Sequence, residues 1–214
     1  MTFSFKTRHN HGLEREILFR NFINSRFGWF CEEIGQNTLS EEKRQELQQT
    51  FLPFNSKDAQ SLLGYLPEDY KGKYVQRLKD TLKPGIPCQE RFEADINCYY
   101  KDNLMFQGEI KSDMGTYPNI TFCVSGYIWA AHSNSQPSPQ KIYLWDLGDD
   151  ISEWRFLFLE DIPKFTNDWR TGEGLKGSQT PHGLVSKSRL SYAALPVSDL
   201  LIWFETIVNH ETFF

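Results

Sequence analysis

The chain has 214 residues, room for one ordinary domain, and an aromatic content of 15% that argues for a packed core and against disorder. A formal net charge of −5 excludes the uniformly basic class of nucleic-acid binders, and no apolar run has the length of a membrane span. Residues 1–11 lack the apolar stretch of a signal peptide, and Cys31, Cys88, Cys98 and Cys123 form no C-x-x-C pair. The expectation is therefore reduced, near-core thiols in a cytoplasmic protein, with neither a disulfide framework nor a zinc knuckle. Charge is segregated along the chain. Residues 1–30 carry five basic side chains against Glu14 and Glu16, residues 164–190 carry five against Asp168 and Glu173, and residues 141–162 carry six acids against Lys141 and Arg155. Such a pattern suits a polyanion cleft inside an acidic exterior, or is ordinary fluctuation.

Leu13, Ile17, Leu18, Phe22 and Ile23 recur at helical spacing and predict a helix over 12–30, with Leu13 and Ile17 turned to the core. The stretch 28–34 ends that helix or forms a short strand. Residues 38–83 read as helices only, an insert packed on the domain. Thr38 or Ser40 caps a first helix with Glu41 and Glu42 in its first turn, Pro53 stops it, a second covers 58–63 and a third 67–82. Residues 92–100 then alternate cleanly, Phe92, Ala94, Ile96 and Cys98 against Glu93, Asp95 and Asn97. Lys101, Asp102 and Asn103 make a turn and 104–111 return as the second strand of a hairpin. A helix over 119–132, a loop over 133–140, buried strands over 141–147 and 153–159, a long Gly-rich loop over 171–188 and a closing helix over 197–210 complete the chain. The whole, 1–214, is expected to be a single α/β (α+β) domain around one mixed sheet flanked by helices, with the helical insert at about 38–83.

The chemistry concentrates on the hairpin. Asp95 lies on the polar face of its first strand, and Glu109 and Lys111, two apart, share one face of the second. Two converging carboxylates repel unless a cation lies between them, and a hard divalent ion such as Mg²⁺ takes oxygen ligands of this kind while keeping several waters. The Ile110 carbonyl offers one more oxygen. Lys111 then stands where it can orient or deprotonate a metal-bound water, or stabilise charge on a phosphate. The competing interpretation is a solvated polar face with a cross-strand ion pair, and Glu93 competes with Asp95 for the same position.

Asp95, thirteen intervening residues, then Glu109-Ile110-Lys111-Ser112 resembles the signature of the PD-(D/E)XK nucleases, with Ala94 where that signature has proline. The resemblance implies a restriction-endonuclease-like core of helix, three strands, helix and strand, in which Asp95, Glu109 and the Ile110 carbonyl hold metal and Lys111 serves the water. Gly12-Leu13-Glu14-Arg15-Glu16 is similar to the first helix of members that place a further acid there, which nominates Glu14 or Glu16, with Glu14 preferred because Leu13 and Ile17 were assigned inward. By implication the chain is a Mg²⁺-dependent type II restriction endonuclease of double-stranded DNA, acting as a homodimer. The alternatives are a structure-specific or repair nuclease of the same fold, or an inactive DNA-binding module.

Weaker signals lie elsewhere. Gln179, His182, Lys187 and Arg189 have the residue types that read bases and hold phosphates, unless their loop is merely surface. His132 and His182 lie in or near loops, where either could touch phosphate or base edges, although the ordinary reading is a solvated histidine. The tripeptide His9-Asn10-His11 lacks the ββα context that a nuclease of those letters needs. The glycines of 172–177 do not follow a strand as a phosphate loop would. Trp145, Trp154, Phe156 and Phe158 stand in apolar strands and are assigned to the core rather than to base stacking.

Overall fold

The computed structural model describes residues 5–35, 38–66, 76, 85–87, 93–112, 121–134, 139–171 and 181–211. Helix α1, Phe5–Asn24, starts earlier and stops sooner than the periodicity suggests. It docks through its C-terminal half, burying Phe19 and Ile23, while Ile17 is 47% exposed rather than inward. The ambiguous stretch that follows is a strand, β1 (Trp29–Glu33), with Trp29 and Cys31 buried and Phe30 exposed. The Asn24 side chain both donates to the Cys31 carbonyl and accepts from its amide, at 3.2 and 2.7 Å, so the end of the helix is stitched to the strand it leads into.

The insert is less uniformly helical than expected. Ser40 caps α2 (Glu41–Gln49) by accepting from the Lys43 amide, and Ser56 caps α3 (Lys57–Tyr65) by accepting from Ala59. Between them β2 (Phe51–Leu52) pairs with β3 (Ile86–Pro87), a ribbon that ties the middle of the insert to the segment just beyond it. The helix anticipated over 67–82 lies outside the described residues, apart from Gln76.

The hairpin forms as its alternation predicts. Strand β4 (Ile96–Tyr100) pairs antiparallel with β5 (Asn103–Lys111), although β4 begins later than 92. Lys101 and Asp102 both take left-handed φ values, 48° and 65°, as a two-residue turn must to match the twist of its strands. Beyond the hairpin, 121–134 divides into β6 (Thr121–Ser125) and α4 (Gly126–Asn134) instead of forming one helix. Strands β7 (Lys141–Trp145) and β8 (Arg155–Phe158) follow as anticipated, then the single-turn α5 (Ile162–Phe165). Strand β9 (Thr166–Thr171) comes next; of the region assigned to a long loop, 172–180 lies outside the described residues, and its later part is not loop but β10 (Pro181–Ser186) and the start of α6 (Lys187–Ala193). Strand β11 (Leu195–Pro196) and α7 (Val197–Glu211) end the chain.

The large sheet has the order β1-β4-β5-β7-β8-β11, and β5 and β7 are its parallel pair. It is thus a mixed sheet in an α+β architecture. Helix α1, the antiparallel run β1-β4-β5, strand β6, helix α4 and the parallel strand β7 follow one another in the chain, with the insert lying between β1 and β4. One sheet face packs Cys31, Ile96, Cys98, Phe106, Ile142 and Leu144 against Phe19 and Ile23 of α1 and Leu200, Leu201 and Phe204 of α7. At Gly108 the packing is so close that a Cβ would come within 2.8 Å of the Ile96 side chain and 2.9 Å of Leu144. On the other face Tyr143, Trp145 and Leu157 meet Val124, Val185 and Leu190 of the small sheet β6-β10-β9 and α6. Trp145, Trp154 and Phe156 are core residues, as expected.

Candidate active site

Asp95 stands one residue before β4 and is held there by main-chain bonds on both sides. Its amide donates to the Gly108 carbonyl at 2.9 Å, and its carbonyl accepts from the Ile34 amide at 2.9 Å. The β4–β5 ladder ends with Ile96 opposite Gly108; Asp95 and Glu109 flank that pair, close enough for the Glu109 charge to act on Asp95, and Glu109 is in turn paired with Tyr143 across the parallel junction. The three therefore cluster across three strands, on the face away from α1 and α7. Asp95 Oδ2 accepts from the Ile110 amide at 2.7 Å, which pins one carboxylate oxygen to the edge of β5. Since the amide and carbonyl of a strand residue turn to the same edge, the Ile110 carbonyl is on the Asp95 side. Glu109 is 4% exposed and makes an ion pair with Lys111, whose Nζ lies 6.0 Å from the centre of the Tyr143 ring. The solvated hairpin considered as the alternative would have left these groups in water. They are instead largely covered.

Burial explains the electrostatics. Removal from water, the Glu109 charge and, less strongly, Glu16 push the Asp95 carboxyl well above the ordinary range, against the pull of Lys111 and the Ile110 amide. Burial alone would depress the Lys111 ammonium, but Glu109, Asp95 and Glu16 outweigh it and leave its pKa raised, so Lys111 is a cation throughout the neutral range. Tyr143, fully buried and beside the same two carboxylates, is pushed well upward and stays a neutral phenol. Its hydroxyl lies 3.3 Å from Nδ1 of His132, a buried histidine on α4 rather than the solvated loop residue anticipated from sequence.

Of the two acids nominated on α1, Glu14 is exposed, while Glu16 is half-buried and is the one whose charge reaches Asp95 and Lys111. The preference for Glu14 depended on an inward Ile17. The face is set instead by Arg15, buried at the end of the large sheet. Its Nε lies 2.6 Å from Asp146 Oδ2 and its Nη2 donates to Asp146 Oδ1 at 2.9 Å. The Asp146 amide bonds the Lys111 carbonyl at 2.9 Å, so one short circuit ties the helix carrying Glu16 to the strand carrying Lys111. The same contacts change the meaning of the basic N-terminal segment. Arg15, Arg20 and Arg26 are engaged with Asp146, Glu33 and Glu205, so much of its charge serves the fold.

The proposed DNA contacts are placed less fully. Gln179 lies outside the described residues, and the His182 backbone pairs with Ser125 and Arg170 in the small sheet. Lys187 opens α6, and Arg189 lies over the Phe165 ring at 5.2 Å. Packing of Val185 and Leu190 against Tyr143 and Trp145 puts this unit on the side of the large sheet that bears Glu109. Glu93 is exposed, and its charge acts on Lys141.

The donor set at the cluster fits Mg²⁺. Three acids, Asp95, Glu109 and Glu16, act on one ammonium, and Asp95 is raised first by burial and then by the Glu109 charge, both of which a bound cation would offset. Among the described residues no three His, Cys, Asp or Glu side chains close into a cage. Two carboxylates with one main-chain oxygen form an open set, suited to an ion that retains water. Sequence reasoning missed Tyr143 and misplaced His132, because only the parallel pairing of β5 with β7 brings Tyr143 to Glu109 and only the seating of α4 brings His132 to Tyr143. No family model, no curated protein and no solved structure matches this chain.

Proposed function

We propose that this protein is a Mg²⁺-dependent deoxyribonuclease that hydrolyses phosphodiesters of double-stranded DNA in the manner of type II restriction endonucleases, as a homodimer. The observation that carries the proposal is the cluster itself: Asp95 beside Glu109, with Lys111 ion-paired to Glu109, on a covered face at the end of two paired strands. Asp95, Glu109 and the Ile110 carbonyl would hold the ion, which when bound supplies a Lewis acid for the phosphate and lowers the pKa of water. The protein's own residues do the rest. The Ile110 amide fixes the Asp95 carboxylate, so ligand geometry is set before substrate arrives. Lys111, permanently cationic beside carboxylates, orients the attacking water and offsets the charge that gathers on the phosphate, rather than acting as the base in the metal-free protein. Glu16 adds negative charge from α1 at the edge of the cluster.

The test is digestion of plasmid and phage DNA by purified protein in Mg²⁺ or in EDTA, with Asp95→Asn, Glu109→Gln and Lys111→Ala in parallel. The expected result is Mg²⁺-dependent discrete fragments whose production falls by a factor of about 10²–10³ in each variant, the scale of removing one charge-stabilising group from such a centre. Intact DNA with folded wild-type protein, or cleavage that survives these substitutions, refutes the proposal. Cleavage confined to branched substrates would move it to a structure-specific nuclease.

A further inference from the structure

The row next to Asp95, Glu109 and Tyr143 on the same face is also polar, and it is continuous across four strands. Glu32, Asn97, Gln107 and Lys141 are direct partners in register on β1, β4, β5 and β7. Their hydrogen bonds run head to tail. Lys141 Nζ donates to Gln107 Oε1, Gln107 Nε2 donates to Asn97 Oδ1 at 2.8 Å, and Asn97 Nδ2 donates to Glu32 Oε1 at 3.1 Å. The charges at the two ends fix both amide orientations, and Tyr99 reinforces the acidic end with a 2.7 Å bond to Glu32.

The basic end is unfinished. Lys141 is 8% exposed, yet the described bond of its ammonium goes to a neutral amide. The carboxylate of its own row, Glu32, is three strands away, about 14 Å at the usual strand spacing. The exposed Glu93 is the acid whose charge it feels, and burial nonetheless holds its pKa below the ordinary lysine value. Among the described residues no carboxylate lies at hydrogen-bond distance from that ammonium; a buried cation so placed is costly to keep, and an anion brought to it would offset that cost. Its position says which anion. Lys141 is two residues along β7 from Tyr143, about 7 Å from the Asp95–Glu109 pair, and on the opposite side of that pair from Lys111.

Resting on the nuclease reading above, we propose that Lys141 is a binding residue for a backbone phosphate of the nucleic-acid substrate, the phosphate adjacent to the one engaged at Asp95 and Glu109. Gln107 and the amides behind it hold the ammonium in place. Lys111 and Lys141 then bracket the acidic pair, each serving one of two successive phosphates, and the specificity of this contact is for the backbone and not for the base.

The experiment is fluorescence anisotropy of a labelled DNA duplex across a KCl series, in Ca²⁺ so that binding is read separately from cleavage in Mg²⁺. Lys141→Met keeps the apolar stem and removes the charge. It should weaken binding roughly three- to tenfold and lower the slope of log K against log salt by about one, while Lys141→Arg keeps the slope. Gln107→Glu gives the ammonium an internal carboxylate and should lower the slope in the same way without emptying the site, so it carries the test if Lys141→Met does not fold. Wild-type slope and affinity in folded Lys141→Met and Gln107→Glu, with wild-type protein binding and cutting DNA, overturn this inference alone. Wild-type protein that neither binds nor cuts DNA overturns the nuclease reading and this inference with it.

Discussion

Replacing Asp95 by Asn should stabilise the metal-free protein at alkaline pH, although the residue is the centre of the proposed site. Asp95 and Glu109 lie on adjacent paired strands, and two charges about 5 Å apart repel by about 3 kcal/mol at an effective dielectric near 20. Lys111 returns a similar amount, so the net penalty on the Asp95 carboxylate comes from burial, followed by the Glu109 repulsion that Lys111 does not cancel. The Asn side chain keeps an oxygen for the Ile110 amide but gives up the charge on that bond, a loss of about 1 kcal/mol. The balance is a gain of about 1–2 kcal/mol for Asn at pH 8 in EDTA, or roughly 2–8 °C in Tm for a chain of this length. The sign with pH follows from the upward shift. Because the folded protein holds the Asp95 proton more tightly than the unfolded chain, that stabilisation is complete below the ordinary carboxyl pKa. It is lost as pH rises through the raised folded value. Thermal unfolding followed by circular dichroism at pH 5 and pH 8 reads this directly: the variant's advantage should appear at pH 8 and shrink at pH 5. Saturating Mg²⁺ should reverse the order, stabilising wild type by about 2.7 kcal/mol at one hundred times Kd and the variant far less. A variant less stable than wild type at pH 8 in EDTA, by the same margin as at pH 5, refutes the account of Asp95 as a strained carboxylate.

Other substitutions test the surrounding frame. Arg15→Met leaves Asp146 buried without its partner and should cost about 3–5 kcal/mol, with Asp146→Asn in the same chain recovering part of it, as denaturant titrations of the two single variants and the double would show. Gly108→Ala forces a methyl group against Ile96 and Leu144 and should cost about 1–3 kcal/mol in the same assay. Tyr143→Phe removes the 3.3 Å contact to His132 and should cost about 1 kcal/mol in stability, whereas a loss of several kcal/mol would show that the hydroxyl has a larger structural role. Asp102→Gly, relieving a left-handed φ of 65° in the hairpin turn, should stabilise by up to about 1 kcal/mol.

The hairpin and its chemistry were legible from residues alone because most of what specifies them is local. Alternation of period two assigns faces, and a two-residue turn starts the pairing at Tyr100 and Asn103; the one-residue shift at Cys98–Tyr99, which brings Ile96 opposite Gly108 and Asp95 close to Glu109, is the part that local pattern did not show. The capped helices α2 and α3 and the closing α7 were legible for the same reason, since a serine cap or an apolar stripe acts within a few residues. Pairings between distant segments were not. β6 joins β10 across more than fifty residues, and it is this partner that makes 121–125 a strand where local preference suggested a helix, and 181–186 a strand where glycine and polarity suggested a loop. Helix α1 shows the same limit on a smaller scale. Its apolar spacing is compatible with more than one inward face, and the buried Arg15–Asp146 pair, 131 residues apart in the chain, selects the one that turns Glu16 to the site and Glu14 to water. The sequence by itself thus determined which groups could do the chemistry. Tertiary structure decided which of them are buried together, because burial and like-charge proximity, which set the protonation of Asp95, Lys111 and Tyr143, exist only once the sheet has closed around them.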